Sequence, residues 1–368
     1  MARTPSADER FMRRAMQLAR LGWGQVRPNP LVGAVVVRDG EIIGEGWHPW
    51  HGAPHAEPIA LAEAGSQARG ATLYVTLEPC NHHGLTPPCT DAILAAGIAR
   101  VVYAVPDPNP VAAGGAARLA DHGVEVTGRV LEREAAELNA PFLFAARGAT
   151  RPWVTLKLAV SLDGAIADYT RRPAWLTGPA ARRAVHTLRA GADAVAVGIG
   201  TVLADDPHLT VRHGVTPRTP PARVVFDRHA RLPLTSRLVR TIAEAPVWCV
   251  VMPEPADDAE RARRGALESA GVQLVPATDL PAGLAVLRTH GLRHLFVEGG
   301  AGLAGALVGT KLVDRLIIIQ APVVLGAEAL PAFTGLSPHT VADGVRWRAI
   351  ARRALGDDVM TTYAVSEL

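Results

Sequence analysis

Cysteine is nearly absent from this 368-residue chain, which has only Cys80, Cys89 and Cys249. So few exclude the disulfide framework on which small secreted folds depend. Lysine is scarcer still: Lys157 and Lys311 are the only two among 38 basic residues, and the rest are arginine. Net charge is nevertheless only +3 and aromatic content is 5%. The doublets Arg13-Arg14, Arg182-Arg183, Arg263-Arg264 and Arg352-Arg353 are scattered among acids, where a nucleic-acid binder clusters its cations on one stripe with aromatics. No nucleic-acid partner is expected. No apolar run reaches transmembrane length, and Met1 to Phe11 holds Arg3, Asp8, Glu9 and Arg10 without an apolar signal segment. A cytoplasmic protein with no membrane partner is the expectation. Hydrophobic residues make up 48%, enough for large cores, and the length suits two domains.

What is present gathers in one short stretch. His55-Ala56-Glu57 is followed by Thr76-Leu77-Glu78-Pro79-Cys80 and then by Pro87-Pro88-Cys89. Catalytic zinc takes three protein ligands and leaves a fourth tetrahedral position to water, whose pKa falls to about 7. His55, Cys80 and Cys89 fill three positions. Glu57, at a helix start beside His55, is kept off the metal and free to move protons. A histidine and glutamate two apart, with a later Pro-Cys and second Cys, is the signature of zinc deaminases, in which activated water attacks a ring carbon and ammonia leaves. Cys249 lies in the apolar run Val247 to Met252 and reads as a core thiol. The competing reading is a closed structural zinc site, with a fourth ligand from His48, His51, His82 or His83. It gives Glu57 nothing to do.

Between Cys80 and Cys89 lies Asn81-His82-His83-Gly84-Leu85-Thr86-Pro87-Pro88, a longer insertion than the two residues of nucleobase deaminases. This segment resembles the deaminase half of the bifunctional riboflavin-biosynthesis enzymes, a pyrimidine deaminase fused to a reductase. Arg27-Pro28-Asn29-Pro30-Leu31-Val32-Gly33, Gly46-Trp47-His48, Gly52-Ala53-Pro54-His55-Ala56-Glu57 and Asp107-Pro108-Asn109-Pro110 are similar to that family's blocks, in its order. The resemblance covers most of residues 9 to 148. It implies that Asn29, otherwise a turn residue between two prolines, faces the pyrimidine.

Strand patterns at Val32 to Arg38, Glu41 to Trp47, Thr72 to Thr76 and Val101 to Ala104 alternate with helix patterns near Arg10 to Leu21, His55 to Ala64 and Cys89 to Ala96. They predict a three-layer α/β/α domain, cytidine-deaminase-like by the resemblance. His55 and Cys89 each open a helix there, where the dipole favours thiolate and developing negative charge. A helix-like stretch from Leu131 to Ala146 gives way to turn residues at Gly148 to Pro152. The expected domains are therefore 1–148, the zinc-dependent deaminase, and 149–368.

The second domain alternates helical stretches with apolar runs at Trp153 to Ala159, Ala192 to Val197, Arg223 to Phe226, Pro246 to Met252, Leu292 to Val297 and Leu316 to Gln320, which suits a mostly parallel sheet covered on both faces. Gly300 to Gly305 satisfies G-x-G-x-x-G, but no acid completes the dinucleotide fingerprint, and such glycines serve close helix packing equally well. Leu156 to Gly164 and Val197 to Thr210 resemble the reductase half of the same family, whose fold is similar to dihydrofolate reductase. That resemblance implies NADPH contacts at Ala159, Trp175, Thr201, Asp205 and Gly299, Gly300, Ala301, Gly302, Leu303, Ala304 and Gly305. It implies substrate contacts at Arg189, Leu209, Arg212 and Glu298. The chain departs from the family at Pro173, where a serine usually stands, at Asp227-Arg228 in place of Asp-Ser, and in the loop Pro110 to Gly115, which is short and lacks its basic residue.

The expectation is thus an α/β enzyme of two steps. Zinc-dependent deamination of 2,5-diamino-6-(5-phosphoribosylamino)pyrimidin-4(3H)-one is followed by NADPH-dependent reduction of its ribosyl group to ribityl. The partners are this phosphorylated pyrimidine ribotide and further copies of the chain in a homo-oligomer. The alternative is a base, nucleoside or tRNA deaminase with an accessory nucleotide-binding domain.

Overall fold

The computed structural model describes residues 4–365 and separates into two compact units, Met1–Ala149 and Thr150–Leu368.

The first unit is built on a five-stranded sheet in the order β2-β1-β3-β4-β5. Its elements are α1 (Ala7–Ala19), β1 (Gly33–Arg38), β2 (Glu41–Trp47), α2 (Ala56–Ala64), β3 (Thr72–Leu77), α3 (Cys89–Ala96), β4 (Arg100–Val105), α4 (Gly115–Asp121), β5 (Glu125–Thr127), α5 (Glu132–Leu138) and α6 (Ala140–Ala146). A capping box between Ser6 and Glu9 starts α1, and Phe11, Met12, Ala15 and Met16 bury one stripe of it.

Two glycines set the layers. Gly33 on β1 lies so close to α1 that a Cβ would strike the Ala15 carbonyl, and its cross-strand partner Trp47 shares that face. Gly46, one residue before Trp47, points to the other face, where a Cβ would strike Ala56 of α2. Helices α1 and α2 therefore cover opposite faces of the sheet, which makes the three layers. The helix-like stretch from Leu131 to Ala146 is in fact two helices broken at Asn139. Asn139 is buried, and its side-chain amide both accepts from Leu31 N and donates to Leu31 O, each at 2.8 Å. This tie to the loop between Asn29 and β1 outweighs one more turn of helix.

The second unit carries a nine-stranded sheet in the order β11-β10-β9-β8-β12-β6-β13-β16-β15. Its elements are β6 (Trp153–Val160), β7 (Ala165–Ala167), α7 (Pro179–Ala190), β8 (Ala194–Gly198), α8 (Ile199–Asp205), β9 (Ala222–Phe226), α9 (Arg237–Arg240), β10 (Val247–Val251), α10 (Asp258–Ser269), β11 (Gln273–Pro276), α11 (Leu280–Thr289), β12 (His294–Val297), α12 (Ala301–Gly309), β13 (Arg315–Gln320), β14 (Leu330–Pro331), β15 (Trp347–Leu355) and β16 (Asp358–Val365). From β11 to β13 every neighbour is parallel, and β16 and β15 add an antiparallel edge. Successive residues of a strand enter different cores: Val224 and Val250 pack on one face of the sheet, Val225 and Cys249 on the other. Both faces being covered explains why these strands read as continuous apolar runs.

Candidate active sites

In the first unit, the carboxyl end of β3 and the starts of α2 and α3 meet around one cavity of about 250 Å³. His55 is the N-cap of α2, and Cys89 is the first residue of α3. The ligand atoms of His55, Cys80 and Cys89 lie within 4.8 Å of one another. His55 Nδ1 is 3.2 Å from Cys89 Sγ and 3.5 Å from Cys80 Sγ. Zinc bonds of about 2.1 Å to nitrogen and about 2.3 Å to sulfur, at a tetrahedral angle, require about 3.6 Å between such atoms. The triangle therefore fits zinc with little movement. Thr86 Oγ1 stands 3.5 Å from the other ring nitrogen, Nε2, and so turns Nδ1 toward the sulfurs. Cys80 accepts from Cys89 and His55, which holds its thiol well below the ordinary value against the opposing effect of burial. Cys89, the donor of that pair, is pushed up.

Glu57, on the first turn of α2, is 3% exposed, and its Oε2 has no hydrogen-bond partner. Burial raises its pKa from 4.5 to about 7, with the nearby imidazole of His55 opposing. A buried carboxylate with one oxygen left unpartnered is a candidate for chemistry that needs a group able to gain and lose a proton. Asn29 also lines the cavity, its Nδ2 3.1 Å from His48 Nε2. His48, His51, Glu78, His82, Asp107 and Asn109 also line it; His48, His51 and His82 were weighed from the sequence only as ligands of a closed zinc site. His48, Glu78 and Asp107 each stood in a block already singled out, without a role of their own in the reaction.

In the second unit the site residues fall into two groups. Glu298, just past β12, receives Arg189 Nε at 2.5 Å on Oε1 and has Lys157 Nζ at 3.8 Å from Oε2. Burial alone would raise Glu298, but Arg189 and Lys157 outweigh it and hold the carboxyl below its usual value. Burial lowers Lys157. Arg189 also donates to Thr210 O at 2.9 Å, next to Leu209, a buried residue held at φ +58°. Arg212 N donates to His186 Nδ1 at 3.2 Å. Arg189, Leu209, Arg212 and Glu298 are thus close in space, and Lys157 and His186 join them without having been singled out beforehand. Lys157 was legible as one of only two lysines, set in an otherwise apolar strand.

The second group lies where β8 and β12 run into helices. A Cβ on Gly300 would stand 3.1 Å from Thr201 Oγ1, so α8 and α12 start side by side. Gly299 has room for a Cβ, with Ala304 N 3.6 Å away, and α12 begins at Ala301. This open start with free backbone N–H groups suits a phosphate. Gly302 and Leu303 follow in the first turn, and Ala301 and Ala304 are buried. Gly305 serves another purpose, because a Cβ there would run into the Thr334 carbonyl. Ala159 stands near the end of β6, Asp205 at the end of α8. Trp175 lies in the exposed coil before α7. It is 77% exposed, with the Arg182 guanidinium 4.9 Å over its ring. Pro173 lies in the same exposed coil.

Comparison with known proteins bears on both units. The family described as cytidine and deoxycytidylate deaminase zinc-binding region matches residues 5–105, and the RibD C-terminal domain matches 152–361. The riboflavin biosynthesis protein RibD of Aquifex aeolicus is 41% identical over 97% of this chain and 98% of its own length. That of Escherichia coli is also 41% identical, over 96% and 98%. Among solved structures, RibD of Acinetobacter baumannii superposes with a TM-score of 0.84 at 37% identity, covering 98% of this chain and 99% of that one. The diaminohydroxyphosphoribosylaminopyrimidine deaminase/5-amino-6-(5-phosphoribosylamino)uracil reductase of Thermotoga maritima gives 0.84 at 35%, with the same coverage. With relatives of this identity along nearly its whole length, and both family regions in order, the chain belongs to the RibD family of bifunctional riboflavin-biosynthesis deaminase-reductases.

Proposed function

We propose that the first unit deaminates the diaminopyrimidine ribotide and that the second reduces the ribosyl group of the product with NADPH. The domains are then 1–148 and 149–368, one activity in each. The observation that carries the reading is the His55, Cys80 and Cys89 triangle with the buried Glu57 beside it, whose Oε2 has no hydrogen-bond partner.

Bound zinc supplies water activated near neutral pH. His55, Cys80 and Cys89 would hold the ion. Glu57 would hold and move the proton exchanged between water and the departing amine, its Oε2 being buried beside the ligand triangle without a hydrogen-bond partner. Asn29, steadied by His48, orients the pyrimidine.

Bound NADPH supplies hydride to the first carbon of the open-chain sugar. Gly299 to Ala304, with Thr201, would hold its phosphates, and Ala159, Trp175 and Asp205 would supply further contacts. Gly305 acts by letting α12 pack. Arg189 and Arg212 take the substrate phosphate, Leu209 its surroundings, and Glu298 the sugar hydroxyls. A cytoplasmic location belongs to the proposal, in keeping with three cysteines that form no disulfide. So does self-association, which light scattering of the purified chain would read directly.

The test follows ammonia release and NADPH oxidation together in zinc-replete protein given the ribotide. Ammonia leading and NADPH following is the expected record. Ammonia alone would remove the reductase assignment, and neither signal would remove this substrate.

A further inference from the structure

Arg189, which the proposed reduction uses to hold the substrate phosphate, is itself held on two sides. Its Nε donates to Glu298 and its Nη1 to the Thr210 carbonyl, the latter at 2.9 Å. Among the described residues Nη2 has no acceptor, which leaves it for an anion. The fork faces that anion only while both acceptors stay in place. Glu298 directly follows β12 and has Lys157 at 3.8 Å. Thr210 lies in an irregular segment after α8, so its carbonyl needs some other support.

The residue before it makes that support necessary. Leu209 is 3% exposed and has φ +58°, a left-handed backbone that a bulky side chain rarely adopts. A side-chain bond spans this residue: Thr210 Oγ1 and His208 Nδ1 are 2.7 Å apart. On the other side of the ring, His208 Nε2 is 3.3 Å from Glu244 Oε2. Burial, first among its causes, lowers the pKa of His208. The neutral ring therefore accepts from the Thr210 hydroxyl on Nδ1 and donates its Nε2 proton to Glu244. Glu244 stands on the segment before β10, which the fully buried Arg223 of β9 pins through Thr241 Oγ1 at 2.7 Å, Thr241 O at 2.8 Å and Ala245 O at 2.5 Å. An unbroken line of bonds thus runs from the sheet through His208 to the Arg189 guanidinium.

We infer that His208 is a positioning residue for the reduction: by bonding Thr210 across the left-handed Leu209, it fixes the carbonyl that aims Arg189 at the substrate phosphate. The inference rests on the reductase reading of this unit. It adds to that reading a residue that acts through Thr210 and not on the reacting atoms.

The experiment uses the full chain with NADPH and the deaminated ribotide, and compares His208→Ala, His208→Asn and His208→Gln. Asparagine places Oδ1 where Nδ1 stands and keeps an acceptor for Thr210, whereas glutamine reaches toward Glu244 and abandons Thr210. His208→Ala and His208→Gln should raise KM for the ribotide about tenfold with kcat within about threefold, and His208→Asn should bring KM back to within about threefold of wild type. NADPH affinity in fluorescence titration should be unchanged in all three, which also shows that the second unit is folded. A KM restored by His208→Gln and not by His208→Asn would overturn the inference, because His208 would then be only a structural tie to Glu244. An unchanged KM in His208→Ala, or a loss of NADPH affinity in step with the rise in KM, would overturn it as well. Wild-type protein that fails to oxidise NADPH with this ribotide would overturn the reductase reading and the inference together.

Discussion

Replacing Glu57 with Gln separates the cost of this side chain from its use. With zinc removed by a chelator, the carboxyl titrates at about 7 in the fold against 4.5 ordinarily, chiefly because it is buried. Each pH unit of such a displacement corresponds to about 1.4 kcal/mol. Ionising Glu57 within the fold therefore costs the metal-free protein about 3 kcal/mol. A raised carboxyl contributes its full stability below the unfolded value of 4.5 and loses it as pH climbs through about 7. Wild-type protein should accordingly weaken by about 3 kcal/mol between pH 4.5 and 8 from this group alone, while Glu57→Gln should lack that slope.

At pH 8 the variant should be the more stable by about 2 kcal/mol, once the cost of a buried amide with few partners is deducted. Urea unfolding at several pH values measures this, with hydrogen exchange of β1 and β3 assigning the transition to the deaminase unit. Zinc content should be unchanged on reloading, whereas ammonia release should fall by about 10² to 10⁴, the range for a lost general acid-base group. A variant with the wild-type pH slope, or one that still deaminates at the wild-type rate, would refute the reasoning. Gain of stability with loss of activity is the pattern expected of a strained catalytic group.

Three further outcomes follow from the second unit. Glu298→Gln leaves Arg189 and Lys157 buried without their counter-charge and should cost about 3–5 kcal/mol; a change in the urea midpoint worth under 1 kcal/mol would show that the three groups are not coupled. His186 is lowered to about 4 by burial first and by Arg189 and Arg212 next. Its contribution is present above the unfolded value of 6.5 and lost as pH falls toward 4. Thermal unfolding between pH 7 and 5 should therefore show a downward slope that His186→Gln flattens. Gly305→Ala forces a methyl against the Thr334 carbonyl and should destabilise by about 1–3 kcal/mol. Because Gly305 acts in packing, surviving Gly305→Ala protein should keep its affinity for NADPH in fluorescence titration.

The sequence carried a residue's role wherever chemistry and chain were local. His55 and Glu57 share one helix start, and Cys89 opens another. The apolar runs of β6, β8, β9, β10 and β12 are visible because both faces of that sheet are buried. The hairpin of β15 and β16 was invisible for the opposite reason. Its outer strand is mostly exposed and carries Arg348, Arg352 and Arg353, so neither an apolar run nor a clean alternation marks it. The break at Asn139 depends on Leu31, far away in the chain, and no local pattern can announce it.

What escaped most completely were the groups assembled by strand register. Leu77 pairs with Val105 in the parallel ladder of β3 and β4, which brings Glu78 and Asp107 together beyond the strand ends and so gives the cavity of the first unit two of its three carboxylates. Leu156 pairs with Val297 in β6 and β12, which sets Lys157 beside Glu298. Parallel neighbours are joined through long crossovers, so the side chains that meet at their carboxyl ends are distant in sequence and a slip of one residue would exchange them for others. The zinc ligands could be read because metal chemistry constrains residue type at short spacing. The charged groups beyond the strand ends could not, because register decides which acid or base reaches them.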